Sequence, residues 1–374
     1  PEMSRGLGDV YKRQSKMRKK LVGMLATATL LTMALAGNVQ AAEIRSVGPD
    51  GEAAVDASTI ELTDDQIAQI KEGGYTAAIC LHYGGNDWST SQQKGLEDTF
   101  GELGIEIVAV TDANFSAETQ VSNIETVMAK KPDILVSIPT DATATADAYK
   151  QAAAAGIKIV FMDQRANGLE AGKDYVSVVS ADNYGNGYAS GTVLGDALGG
   201  KGKVAMVYYD ANFAPTNQRD EGFRDAMKNY PDIEIVTEQG FTDESGCAEQ
   251  GDAILTQFPN IDGIYASWDV PMEGVLSAVR AAGMEGKVTL ACNDLGNNVA
   301  REIASGNIAG GGAQMPYDQG VAEAKLAALA LLGEETPSYV AVPAETVTHE
   351  NVLEAYTDVY HVETPDWLKE AYVE

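Results

Sequence analysis

The sequence is short of several things at once. It holds three cysteines, Cys80, Cys247 and Cys292, far apart and with no C-x-x-C pair, which excludes a dense disulfide framework and a cysteine zinc cluster. Its three histidines, His82, His349 and His361, have no metal-ligand spacing to one another or to the cysteines. Cations are scarce: 26 Lys and Arg stand against 55 Asp and Glu, a formal net charge of −29. A surface of that sign repels nucleic-acid phosphates and anionic membranes. No G-x-S-x-G elbow, P-loop or H-E-x-x-H occurs, so the usual motifs of hydrolytic, nucleotide-dependent and metalloprotease chemistry are missing and no cofactor is expected. Low-complexity tracts and fixed-period repeats are also lacking. The long apolar run, Leu21 to Gly37, falls short of the ~20 residues a spanning helix needs.

That run has another use. Met17-Arg18-Lys19-Lys20 is a basic head in front of it, and Val39-Gln40-Ala41 places small residues where a signal peptidase reads. The layout predicts a secretory signal peptide over residues 17–41, cleaved after Ala41. No cysteine follows the run, which disfavours a lipoprotein anchor. Residues 1–16 show no periodic pattern and are read as an unstructured extension. The chain beyond Ala41 is too long for one ordinary core and suits two lobes.

From Tyr75 onward, β-branched runs alternate with stretches of helical length. Strands are predicted at residues 76–83, 105–110, 133–138, 157–163, 175–180, 204–209, 233–237, 261–267, 288–293, 308–314 and 339–342. Ser116 is read as the N-cap of a helix over residues 117–130, and residues 142–155 and 321–332 are helix-prone on propensity. Cys80 and Cys292 fall in strand-like runs and read as buried thiols, with a Cys247–Cys292 bridge left open. Ahead of this, residues 43–58 are expected to be loosely ordered. Thr63 to Gln66 forms a capping box for a short helix stopped by Gly73-Gly74. The repeated strand–helix–strand pattern predicts an α/β protein built on doubly wound parallel sheets.

In such sheets ligands bind beyond the carboxyl ends of the strands. Those ends carry the run from His82 to Trp88, then Asp163-Gln164-Arg165, Trp268-Asp269 and Asn293-Asp294. Only 7% of residues are aromatic, yet two of the three tryptophans sit at these ends. A sugar offers hydroxyls at its edge and C–H groups on its face. Asp, Asn and Arg meet the first, and a Trp ring meets the second. Each residue alone has a structural reading as well: Asp163 as a loop cap, Trp268 as core, Arg219 as half of a helix-surface pair.

Most of the chain, from Tyr75 to about Val342, resembles the ribose-binding-protein branch of the type I periplasmic binding proteins. The resemblance is carried by Ile138-Pro139-Thr140-Asp141-Ala142 followed by residues 153–163, by Ser180-Ala181-Asp182-Asn183, by Arg219-Asp220-Glu221-Gly222-Phe223 and by Gln314-Met315-Pro316. It implies ligand contacts at Asn86, Trp88, Asp163, Arg219, Asp294 and Gln314. His82 falls where a small polar contact is usual. The family often has Arg where this chain has Gln164, with Arg165 one place later, so either side chain is a candidate. Trp268 stands where an Asn is common, so that Trp88 and Trp268 are expected to sandwich the ligand.

The resemblance further implies two similar lobes, residues 75–181 with 313–336 and residues 182–312 with 337–374, preceded by a segment over residues 42–74. Crossings between lobes are expected near Ser180–Asp182, Gly311–Ala313 and Pro337. By the same resemblance, a monomer captures a small sugar or polyol by lobe closure and delivers it to an ABC permease. A chemoreceptor or sensor kinase is the alternative partner. An enzyme is disfavoured: Gly185-Asn186-Gly187 with Gly191 has the wrong spacing for a dinucleotide loop and reads as close helix packing. A sugar-responsive repressor would need a basic DNA-binding segment where this chain has its apolar leader.

Overall fold

The computed structural model describes residues 43–374. The predicted leader, its cleavage site and the extension before it lie outside these residues. In chain order the strands are β1 (Val55–Asp56), β2 (Thr76–Leu81), β3 (Glu106–Asp112), β4 (Ile134–Ser137), β5 (Lys158–Met162), β6 (Ser177–Ala181), β7 (Lys201–Tyr209), β8 (Asp232–Phe241), β9 (Gly263–Ala266), β10 (Thr289–Cys292), β11 (Gly310–Ala313), β12 (Tyr339–Val342) and β13 (Glu345–Thr348). They form two sheets, ordered β1-β12-β6-β5-β4-β2-β3 and β13-β11-β10-β9-β7-β8. Only the β11–β13 pair is antiparallel among the strand pairings of the described residues.

Burial on both faces explains the near-continuous apolar strands. In β2, Ala77, Ile79 and Leu81 pack on one side of the first sheet, whereas Ala78 and Cys80 pack on the other. In β7, Ala205 and Val207 face one core of the second sheet and Val204 and Met206 the opposite one. All three cysteines are buried and free, so no Cys247–Cys292 bridge forms.

The helices are α1 (Asp64–Gly73), α2 (Asp87–Glu102), α3 (Ala117–Ala129), α4 (Ala146–Ala154), α5 (Asn183–Ala197), α6 (Ala214–Met227), α7 (Cys247–Gln257), α8 (Asp269–Ala281), α9 (Asn297–Ala304), α10 (Pro316–Leu331), α11 (Val352–Tyr360) and α12 (Asp366–Ala371). The capping box at Thr63 and Gln66 opens α1 and Gly74 closes it in the left-handed region, and Ser116 caps α3.

Two expectations need correction. The third crossing does not fall at Pro337, because β12 pairs with β6 and belongs to the first sheet. The chain changes lobes after Val342 and before β13, so residues 337–342 lie in the first lobe. Residues 43–58 are also better ordered than expected. β1 pairs in parallel with β12, and Ser46 donates from N and Oγ to Asp182 Oδ1 at 2.9 and 2.7 Å. Arg45 N donates to Asp182 Oδ2 at 2.9 Å, and its guanidinium lies 4.1 Å from the Tyr188 ring centre. Partners more than 130 positions away supply this order, and local composition carries no trace of them.

Helix packing repeats between the lobes. A Cβ on Gly187 of α5 would stand 1.8 Å from the carbonyl oxygen of Arg219, and one on Gly222 of α6 would stand 2.1 Å from that of Tyr184. In the first lobe the same relation holds where α2 meets α10: a Cβ on Gly95 would lie 2.2 Å from the Tyr317 carbonyl, and one on Gly320 2.3 Å from that of Gln92. Gly187 and Gly191 therefore serve helix contact, whereas a Cβ on Gly185 would meet the carboxylate of Asp182 that caps α5. Gly222→Ala is expected to lower stability by about 1–3 kcal/mol through overpacking. Gly101→Ala, on an open part of α2, should raise it by up to ~1 kcal/mol. Thermal unfolding of the two variants checks the contrast.

Candidate sugar-binding cleft

Both sheets send the carboxyl ends of their parallel strands to a shared cavity. Of the ten residues singled out from sequence, His82, Asn86, Trp88, Asp163, Arg219, Trp268, Asp294 and Gln314 line it. Asp163 follows β5 and Asp294 lies just beyond β10, with φ of 57° and 70°. Asp tolerates this left-handed turn better than most side chains do, and in each lobe it turns a carboxylate out of the sheet end. Asn86 is the N-cap of α2: its Oδ1 accepts from Ser89 N at 2.7 Å, and its Nδ2 donates to the Tyr83 hydroxyl.

A chain of polar contacts runs through the site. Trp88 Nε1 donates to Gln314 Oε1 at 3.1 Å, and Gln314 Nε2 donates to Asp294 Oδ1 at 2.6 Å. Arg219 Nη1 lies 3.5 Å from Asp294 Oδ2 and donates to the Ser267 carbonyl at 3.2 Å. Arg219 Nε donates to Asn183 Oδ1 at 2.9 Å, and Asn183 Nδ2 reaches Asp163 Oδ1 at 3.4 Å. Asp163 Oδ1 also accepts from Ser180 Oγ and Ala181 N, at 3.1 and 3.3 Å.

Behind Arg219 a buried network fixes the Ser267 carbonyl. Asn293 Nδ2 donates to that carbonyl at 3.1 Å and to the Tyr265 hydroxyl at 2.9 Å. Ser267 Oγ and the Tyr265 hydroxyl donate to Asp220 Oδ1 at 2.6 and 3.2 Å.

Burial dominates the electrostatics. It raises the carboxyls of Asp163 and Asp294, and the Arg219 guanidinium partly opposes the rise. Asp269 is pushed well above the usual carboxylate range by burial, with Asp294 as the largest like-charge contribution. His82, 4% exposed, is held down to about 3 by burial and then by Arg219, so its imidazole is neutral at pH 7.

Gln164 and Arg165 do not line the cavity. Gln164 Nε2 donates to the Pro139 carbonyl at 2.8 Å, and its Oε1 accepts from Ala214 N at 3.1 Å, joining the first lobe to the start of α6. Arg165 turns outward into a two-pronged pair with Asp50, both distances 2.7 Å. Its partner sits in the ordered segment before β1, which sequence reading did not foresee. The lobes also meet through Asn297, whose backbone N and Nδ2 donate to the two Asp87 carboxylate oxygens at 2.7 and 3.1 Å.

Sequence reading missed aromatic walls. Tyr83, Phe115, Tyr209 and Phe213 line the cavity. Tyr83 and Phe115 stack at 4.2 Å between centres, and Phe213 stacks on His82 at 5.5 Å. Tyr83 lies in the run after β2, Phe115 follows β3 and Tyr209 ends β7. Tyr83 lies in the strand-end run already singled out, and the same rule applied to every strand would have found Phe115 and Tyr209.

The periplasmic binding protein domain family matches residues 77–335. The chain belongs to that family. It is 29% identical over 273 residues to a D-ribose/D-allose-binding protein of Pseudomonas aeruginosa, covering 70% of this chain and 83% of the relative. An ABC transporter periplasmic solute binding protein of Actinobacillus succinogenes with bound D-allose superposes with a TM-score of 0.69 at 29% identity, covering 74% of this chain and 99% of the other. A solute binding protein of Agrobacterium vitis bound to α-D-tagatopyranose gives 0.72 at 25% identity, covering 78% and 100%. The two α/β lobes are the type I architecture of this family.

Asp220 yields a pH-dependent prediction. Burial raises its carboxyl to about 6 from an ordinary 3.8, against the pull of Ser267 and nearby arginines. Its contribution to folding is fully present below about pH 4 and is lost as the pH rises through about 6. Asp220→Asn keeps the accepting oxygen without the charge. The melting-temperature difference, variant minus parent, should therefore increase between pH 4 and pH 7, by the equivalent of roughly 2–3 kcal/mol. A difference independent of pH would contradict this account of Asp220.

Proposed function

We propose that this protein captures a small sugar or polyol between its lobes and presents the closed form to an ABC importer. The observation that carries the reading is the cleft itself. It holds two carboxylates and a guanidinium for hydroxyl groups, with Trp88 and Trp268 on the walls for C–H faces. The named relatives bind ribose, allose and tagatose, which supports the ligand class. The leader at residues 17–41, cut after Ala41, takes the protein across the membrane.

In this reading Asp163 and Arg219 grip neighbouring hydroxyls, Asp294 and Gln314 hold the far edge, and the tryptophans stack on the ring. Micromolar to nanomolar affinity corresponds to about −8 to −12 kcal/mol. A few charge-assisted hydrogen bonds and stacked rings, less the ordering cost, supply a total of that size.

A thermal-shift screen with D-ribose, D-allose, D-tagatose and myo-inositol tests the proposal. At least one is expected to raise the melting temperature. Trp268→Ala should weaken that ligand about tenfold or more, and Arg165→Ala should leave it within about twofold because its pair with Asp50 is peripheral. Stabilisation by amino acids or nucleosides and by no sugar or polyol would overturn the assignment.

A further inference from the structure

The cleft does not balance its own charge. Arg219 is its sole guanidinium among the described lining residues, against the carboxylates of Asp163 and Asp294. Arg165, one place after the position at which the family often carries an arginine, is spent on Asp50 outside the cavity. His82 is neutral and adds nothing. Arg219 pairs with Asp294 at 3.5 Å and makes no hydrogen bond to Asp163, whose carboxyl it lowers only through space, against a larger rise from burial.

Asp163 is left with neutral hydrogen-bond partners. Its contacts from Ser180, Ala181 and Asn183 all go to Oδ1. None of the described residues donates to Oδ2, and the residue lines the cavity. Behind Asp294 stands a further buried carboxyl, Asp269, which accepts from Val270 N and Gly296 N at 2.8 and 3.0 Å and from no cation. Six aromatic side chains, Tyr83, Trp88, Phe115, Tyr209, Phe213 and Trp268, complete the walls. Aromatic faces carry negative charge density and favour a desolvated cation. An uncompensated carboxylate in such a place costs stability until a positive charge arrives. The described residues hold no cluster of three or more His, Cys, Asp or Glu arranged for a metal ion, so an organic cation suits this carboxylate better than a bound metal.

We propose that the preferred ligand carries a protonated amine among its hydroxyls, as an amino sugar or amino polyol, with the ammonium seated against Asp163. This rests on the sugar-binding reading above and narrows it. Hydroxyl contacts to Arg219, Asp294 and Gln314 remain as for a neutral sugar, while the ammonium restores electroneutrality at Asp163. A neutral sugar offers Asp163 a hydroxyl hydrogen bond only.

The test is isothermal titration of the purified protein at pH 7 with matched pairs: D-glucosamine and D-glucose, D-galactosamine and D-galactose, D-allosamine and D-allose, 1-amino-1-deoxy-D-sorbitol and sorbitol. N-acetyl derivatives serve as uncharged controls. At least one amine should bind about tenfold or more tightly than both its hydroxyl partner and its N-acetyl form, the margin expected when a hydrogen bond becomes charge-assisted. Asp163→Asn should abolish that margin and weaken the neutral sugar less than the amine. If neutral members equal or exceed their amines throughout, the inference is overturned and sugar binding stands. If no member of either series binds, this inference is overturned, while the sugar reading stands or falls by the thermal-shift screen. A margin that persists in Asp163→Asn overturns the assignment of the ammonium to that residue.

Discussion

The site depends on one continuous path of polar contacts that starts and ends in the first lobe and passes through the second. It runs from Trp88 through Gln314, Asp294, Arg219 and Asn183 to Asp163. Arg219 is its centre. A buried guanidinium must find acceptors, and it finds them in Asn183, the Ser267 carbonyl and Asp294. Those acceptors come from the start of α5, the end of β9 and the turn after β10. The need to satisfy one charge therefore fixes three elements of the second lobe relative to one another, and Gln314 and Asn183 carry that order across the crossings.

The two lobes solve the same problem twice. Each ends a central parallel strand in an aspartate with positive φ, and each presses two helices together at facing glycines. A left-handed aspartate costs about 1 kcal/mol and places a carboxylate where the strand ends. Close helix crossings let α5 and α6, and likewise α2 and α10, bring their N-terminal turns to the cleft rim. Trp88 and Arg219 stand on helices anchored in this way. Gln164 and Asp87 then join lobe to lobe at the edges.

Much of this was legible in the chain because it is local. Parallel strands buried on both faces leave apolar runs, and all eleven predicted strands are present. The carboxyl-end rule located Asp163, Trp268 and Asp294 without side-chain geometry. What was not legible is non-local. Arg165 looks the same in sequence whether it faces a ligand or Asp50, and that choice was made by a segment 115 positions earlier. The pairing of β12 with β6 likewise joins residues far apart and moved the third crossing past Pro337. Tyr209 and Phe115 were within reach, and went unnoticed because a strand-ending aromatic reads as core.

In the proposed function one small ligand is held by strand ends of both lobes at once. Amide hydrogen exchange, with and without a saturating sugar, tests it most directly. The account predicts slowed exchange together at residues 82–88 and 163–164 of the first lobe and at residues 214–219, 267–269 and 294–296 of the second. Protection confined to one lobe, or located away from these strand ends, would contradict it.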